Sequence, residues 1–190
     1  MAAIDNNPLS QNFAIPQNWI FNLKRAPSLS YFCQKVKLPD IDFHESDVGT
    51  PFLNIPFGGD HATFTPIELT FKVDQNFQNW QEILNWGWGI SNPTGDSKVY
   101  NILEHNPKTS PYTLTSDLSI FELDSLNNPI IVWTFENCRP LYLTGPTYDS
   151  TITDQPCLTS MVTFKYVKFN INIWTGTSSG STNLWSTLKT

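Results

Sequence analysis

Three histidines, a run of carboxylates and a closely spaced tryptophan pair are the residues of this chain with types suited to chemistry. His44, His61 and His105 are the only histidines. His44-Glu45 and Asp60-His61 flank one loop, but no spacing among them matches a metal-ligand pattern such as His-Glu-x-x-His or Cys-x-x-Cys. They are expected to be solvated loop residues, with no metal and no cofactor bound. Asp40, Asp42, Glu45 and Asp47 cluster in that loop, yet paired acids act only at a defined separation across a cleft. Cys33, Cys138 and Cys157 form an odd set without paired spacing, which reads as small buried hydrophobes in a reducing compartment rather than a disulfide frame. Trp86 and Trp88 offer a stacking platform for a sugar ring, or alternatively seal a helix onto a core. No nucleophile elbow, phosphate-binding loop or dinucleotide fingerprint occurs, so the expectation is a protein that is not an enzyme.

Composition points to assembly rather than catalysis. Of 190 residues only 15% are charged and 14% are aromatic, seven of them Trp. That much aromatic surface must be buried in a core or between subunits. The net charge of −6 disfavours wrapping nucleic acid, which needs clustered Lys and Arg. Lys35 with Lys37 and Lys24 with Arg25 read as solvated strand faces. No run approaches the roughly 18 apolar residues of a membrane span and the N-terminus carries no leader pattern, so a soluble, cytoplasmically made chain is expected.

Fourteen prolines exclude long helices over most of the chain, and β-branched and aromatic residues dominate between them. Residues 1–16 read as a polar arm, 17–174 as one β domain, and 175–190 as a Ser/Thr/Gly-rich tail in which Trp185 docks. A first strand alternates through Trp19, Phe21 and Leu23, and a second spans Ser30 to Leu38. From Pro39 to Asp60 the sequence reads as a long loop holding Phe52, Leu53, Ile55 and Phe57, an apolar patch in polar surroundings that marks a subunit or ring interface. Trp185 joins these four as a candidate interface residue. Ile67, Leu69, Phe71 and Val73 alternate with Glu68, Thr70 and Lys72, which gives a strand with one buried face. One amphipathic helix follows, with Asp74 as N-cap, Phe77, Trp80, Ile83 and Leu84 inward, and Gly87 and Gly89 ending it. Leu118–Leu123 and Ile130–Phe135 read as a hairpin, with Ile131, Trp133 and Phe135 on one face. The last strand, Leu158 to Ile173, is long enough that it is expected to bend or to extend past the sheet. The fold class is mainly β: an antiparallel β-sandwich or barrel with one packed helix and long loops.

The order of several short motifs carries a family resemblance. They are Leu38-Pro39-Asp40-Ile41, Pro56-Phe57-Gly58-Gly59-Asp60, Phe64, Ile67 to Asp74, and Asn79 to Trp86 with its spaced Trp pair. Together they resemble the tail completion and sheath stabilizer proteins of T-even-like contractile-tailed phages, over most of residues 12–173. The tail after Trp174 and the run Trp86-Gly87-Trp88-Gly89 have no counterpart in that pattern. The resemblance implies a tail-tube-like fold and a homo-hexameric ring on the head-proximal end of the tail tube, where it stops tube growth and holds the sheath extended. It implies tail tube, sheath and neck or tail terminator proteins as partners, and a place in the virion tail after assembly in the host cytoplasm. DNA would pass through the lumen without specific binding, so lumen-facing surfaces are expected to be acidic or neutral. Two alternatives stay open: the major tail tube subunit, and a carbohydrate-binding β-sandwich module.

Overall fold

The computed structural model describes residues 14–59, 61–91, 114–151, 157–173 and 182–183. They form β1 (Trp19–Leu23), α1 (Pro27–Phe32), β2 (Cys33–Lys37), β3 (Ile41–Asp42), β4 (Glu45–Gly49), β5 (Asn54–Gly58), β6 (Thr63–Phe64), β7 (Ile67–Lys72), α2 (Gln78–Ser91), β8 (Ser116–Leu123), β9 (Pro129–Leu143), β10 (Thr159–Lys165), β11 (Lys168–Ile173) and β12 (Thr182–Asn183). The chain is thus mainly antiparallel β. Backbone hydrogen bonds link the strands in the order β1-β8-β9-β10-β7-β2, with β11 beside β9 and β12 beside β11. That path has two free ends, β1 and β2, so among the described residues the expected barrel is not closed.

Contacts divide the chain into two compact units, one of residues 22–118 and 135–169 and the other of residues 1–21, 119–134 and 170–190. In the larger unit the alternation of β7 does what its sequence demands. Ile67, Leu69 and Phe71 are fully buried, and facing them from β10 are Phe164, Val162 and Ser160. Leu29, Ile83, Trp86, Leu118 and Phe135 complete this core. In the smaller unit Phe21, Ile120 and Val132 are buried, and Asp124–Asn128 closes the β8–β9 hairpin, with Asn127 at φ 63.

Several local expectations are corrected. Residues 30–38 are not one strand: Pro27 opens the short helix α1, and only Cys33–Lys37 is extended. Proline's fixed φ suits a first helical turn, and the Ser30 hydroxyl accepts the Leu23 N–H, which holds α1 against the end of β1. Asp74 offers its backbone carbonyl to Phe77 N–H and is not the side chain that organises the start of α2. Asn79 does that work: its Oδ1 accepts the N–H groups of Asp74 and Trp80, and its Nδ2 donates to the Lys72 carbonyl at 2.7 Å. The helix runs through Gly87 and Gly89 to Ser91, because Asn79, Ile83, Trp86 and Gly89 form its buried stripe. Packing of that stripe outweighs the roughly 1 kcal/mol that each glycine costs a helix. In β9 the buried positions are Val132, Phe135 and Cys138, so of the expected face of Ile131, Trp133 and Phe135 only Phe135 is buried. The long last strand does break, at Tyr166 and Val167, into β10 and β11.

Candidate functional site

The segment expected to be a loop is a two-storey β arm. Its base pairs β3 with β6, Ile41 opposite Phe64 and Asp42 opposite Thr63. The base is tied into the larger unit. Phe64 meets Phe169 edge-on at 5.4 Å between ring centroids, Phe169 stacks on Phe135 at 5.8 Å, and Tyr166 OH donates to the Thr65 carbonyl at 3.1 Å. Desolvation by burial and, secondarily, Cys138 push the Tyr166 phenol up to about 12, so it donates that bond at any ordinary pH.

Between base and tip the chain is pinched at His44 and Gly59. His44 has φ 45, and Gly59 N–H donates to the His44 carbonyl at 3.0 Å. A Cβ on residue 59 would lie 2.7 Å from the His44 carbonyl oxygen and 2.9 Å from that of Phe43, so only glycine fits. The His44 ring lies 4.7 Å from the His61 ring and within hydrogen-bond distance of the Thr63 hydroxyl, while Asp42 Oδ1 accepts the His44 N–H. The two loop histidines are therefore brought together, but as parts of a hinge. Among the described residues no three His, Cys, Asp or Glu side chains are grouped to hold a metal ion.

Beyond the pinch, β4 and β5 form a hairpin in which every residue is exposed. Its turn, Thr50-Pro51-Phe52-Leu53, is closed by Thr50 N–H donating to the Leu53 carbonyl and Leu53 N–H donating to the Thr50 hydroxyl. Proline's fixed φ excludes the turn types usual in two-residue hairpins, and no positive φ occurs at Phe52. The register places Ser46 opposite Phe57 and Val48 opposite Ile55, so Val48, Ile55 and Phe57 share one face. Glu45, Asp47, Asn54 and Pro56 share the other. Phe52 stands 98% exposed at the tip with Leu53 beside it. Bonded pairs at Thr50/Leu53 and His44/Gly59 make Asp47/Pro56 a non-bonded pair, which turns the imide nitrogen of Pro56 to the outer edge.

Phe52, Leu53, Ile55 and Phe57 are thus exposed on one element. Trp185 lies outside the described residues, as do His105 and the side chain of Asp60. Sequence reasoning misses Val48, which alternates with Asp47 and Gly49 along β4. Trp86 and Trp88 do not form a platform. Trp86 is buried, donates Nε1–H to the Leu114 carbonyl at 2.9 Å and lies under the Arg25 guanidinium, whereas Trp88 is 46% exposed. Cys33 and Cys138 are both pushed up to about 12, first by desolvation, and Cys157 is exposed. In the folded protein at pH 8, a thiol reagent should therefore label Cys157 quickly and the other two at least about 100-fold more slowly. Equal labelling of all three without denaturant would contradict this burial.

No protein-family model matches the sequence, and no curated protein matches it. Solved structures do. The chain is similar to a chain of the anti-feeding prophage tube-terminating cap, with a TM-score of 0.60, 14% identity, and coverage of 92% of this chain and 100% of that one. A chain of the anti-feeding prophage baseplate gives a TM-score of 0.57 at 12% identity, over 85% of this chain and 97% of that one. A chain of the PVC sheath/tube terminator, from an extracellular contractile injection system, gives 0.56 at 14% identity, over 85% and 99%. At such identities the likeness is one of fold: this chain has the tail-tube-like fold found in components of contractile injection systems.

Proposed function

We propose that this protein is a structural, non-enzymatic component of a contractile phage tail, one that caps the head-proximal end of the tail tube as a homo-hexameric ring and stabilises the extended sheath. The observation that carries the reading is the β4–β5 hairpin. An isolated two-stranded hairpin is marginal in water, and this one leaves Val48, Phe52, Leu53, Ile55 and Phe57 exposed. Burying each large side chain is worth about 1.5–3 kcal/mol, which favours a contact with another subunit or ring. The fold likeness to a tube-terminating cap and a sheath/tube terminator supports the assignment to a tail. Tube, sheath and neck or terminator proteins are then its partners, the virion tail its location, and passing DNA an unbound traveller in the lumen.

Phe57→Asp should lower ring formation at least tenfold while leaving the circular dichroism spectrum and thermal midpoint near those of the parent. Negative-stain microscopy and sedimentation of the purified protein read the outcome. Full assembly of the variant would remove the hairpin from the interface. Long uniform tubes from the unaltered protein alone would replace the cap with the major tail tube subunit, since a tube subunit needs two mutually complementary ring faces and a cap lacks one half of that match.

A further inference from the structure

The ladder between β11 and β12 stops short of residues that could complete it. Asn172 pairs with Asn183 and Ile173 with Thr182. Within β11, alternation sets Asn170 and Asn172 on one side and Ile171 and Ile173 on the other, and all four lie in the smaller unit. Asn170, Ile171 and Asn172 are half-buried. Asn172 is anomalous among them: its Oδ1 is buried and has no hydrogen-bond partner among the described residues. A buried carbonyl oxygen without a donor is costly, and native folds rarely leave one. Two further steps of the same antiparallel register set Leu184 opposite Ile171 and Trp185 opposite Asn170. The period of two then agrees on both strands. An apolar residue meets Ile171, and the residue on the amide side is the one that carries an indole N–H.

We infer that Leu184 and Trp185 continue β12 along the edge of β11 in the same chain, with the Trp185 indole N–H donating to Asn172 Oδ1. In this register Trp185 is the diagonal neighbour of Asn172. Diagonal positions across a strand pair lie about 7–8 Å apart, within reach of an aromatic side chain. The indole N–H is a donor only and takes an acceptor when it is buried, so each group supplies what the other lacks. A slip of one residue would reverse the match, turning Leu184 to the amide side and Trp185 to the side of Ile171. The same pairing occupies backbone N–H and C=O groups on that edge of β11, which would otherwise be a template for a strand of another molecule. Trp185 is thereby assigned a dock within its own chain, and the inference stands whether or not copies of the protein form rings.

Two measurements on the full chain test it. In a Cys157→Ser background, Ile171→Cys with Leu184→Cys should close a disulfide under mild oxidation at least tenfold faster than Asn170→Cys with Leu184→Cys. Directly opposed Cα atoms are about 4.5–5.5 Å apart, which a disulfide spans, whereas the slipped pair points to opposite faces. Mass spectrometry of the unreduced product should give a single chain. A two-chain product would put the segment on another copy, and a slipped pair that closes as fast would refute the register; either result overturns the inference. With isotopically labelled tryptophan, NMR identifies the Trp185 indole N–H as the signal lost in Trp185→Phe. That proton should exchange with solvent at least tenfold more slowly than a free indole, stay protected in Asn172→Asp, which keeps an acceptor, and lose its protection in Asn172→Leu. Free exchange in the parent, or protection that survives Asn172→Leu, removes Asn172 as the partner and overturns the inference even where the cross-link forms. The cross-link is read with Asn172 intact, so it remains decisive if an Asn172 variant fails to fold.

Discussion

Trp86→Ala lowers the free energy of unfolding by about 3–5 kcal/mol, the range for truncating a large buried aromatic. The indole is 2% exposed, its ring centroid is 5.8 Å from that of Phe164, and the Arg25 guanidinium covers it at 5.1 Å. Truncation opens a cavity between α2 and β10 and leaves the Leu114 carbonyl without its donor. Trp86→Phe keeps much of the packing but not that bond, and should cost about 1–2 kcal/mol. Trp88→Ala, two residues on, should stay within about 1 kcal/mol, because roughly half of that side chain already meets water. Urea midpoints for the three variants decide the matter. Equal losses for Trp86→Ala and Trp88→Ala would mean that the helix presents a different face to the core.

Asn79→Ala costs about 2–4 kcal/mol, an effect out of proportion to the size of the side chain. Asn79 is fully buried, and its amide satisfies three backbone groups at the β7–α2 junction: the N–H groups of Asp74 and Trp80 and the carbonyl of Lys72. Removing it leaves buried polar groups without partners, at about 1–3 kcal/mol for each group that water cannot reach. Asn79→Leu fills the volume and should be no better than Ala, which separates lost hydrogen bonds from lost packing. Hydrogen exchange at the Asp74 and Trp80 amides should accelerate at least tenfold in either variant. A stability change under about 0.5 kcal/mol would show that water replaces the amide at that junction.

The sequence announces most of what has a strong period. The strand expected from Ile67 to Val73 is observed at Ile67–Lys72, the hairpin expected from Leu118–Leu123 and Ile130–Phe135 lies within β8 and β9, and the long last strand is broken at Tyr166 and Val167. Three features escape that reading for separate reasons. Helix α1 is one and a half turns long, too short to display a period of 3.6. Helix α2 outruns its glycines because a tertiary stripe, not local propensity, sets its end. The arm hides as a loop because the strands of its hairpin are exposed throughout, and Asp, Gly and Pro mimic irregular chain. Its apolar residues Phe52, Leu53, Ile55 and Phe57 nonetheless stand out in the sequence as a cluster in polar surroundings, and the structure exposes all four.

The outward-facing Pro56 gives the hairpin a handedness of use. Along β4 the outer edge offers N–H and C=O groups at Glu45, Asp47 and Gly49, the template on which another strand can be laid. Along β5 the same row is interrupted midway, where proline has a carbonyl but no donor. A strand can therefore extend the hairpin on one side and not on the other. The consequence is that two copies paired edge to edge along β4 would each present only a Pro56-interrupted β5 edge, which ends sheet growth at that pair.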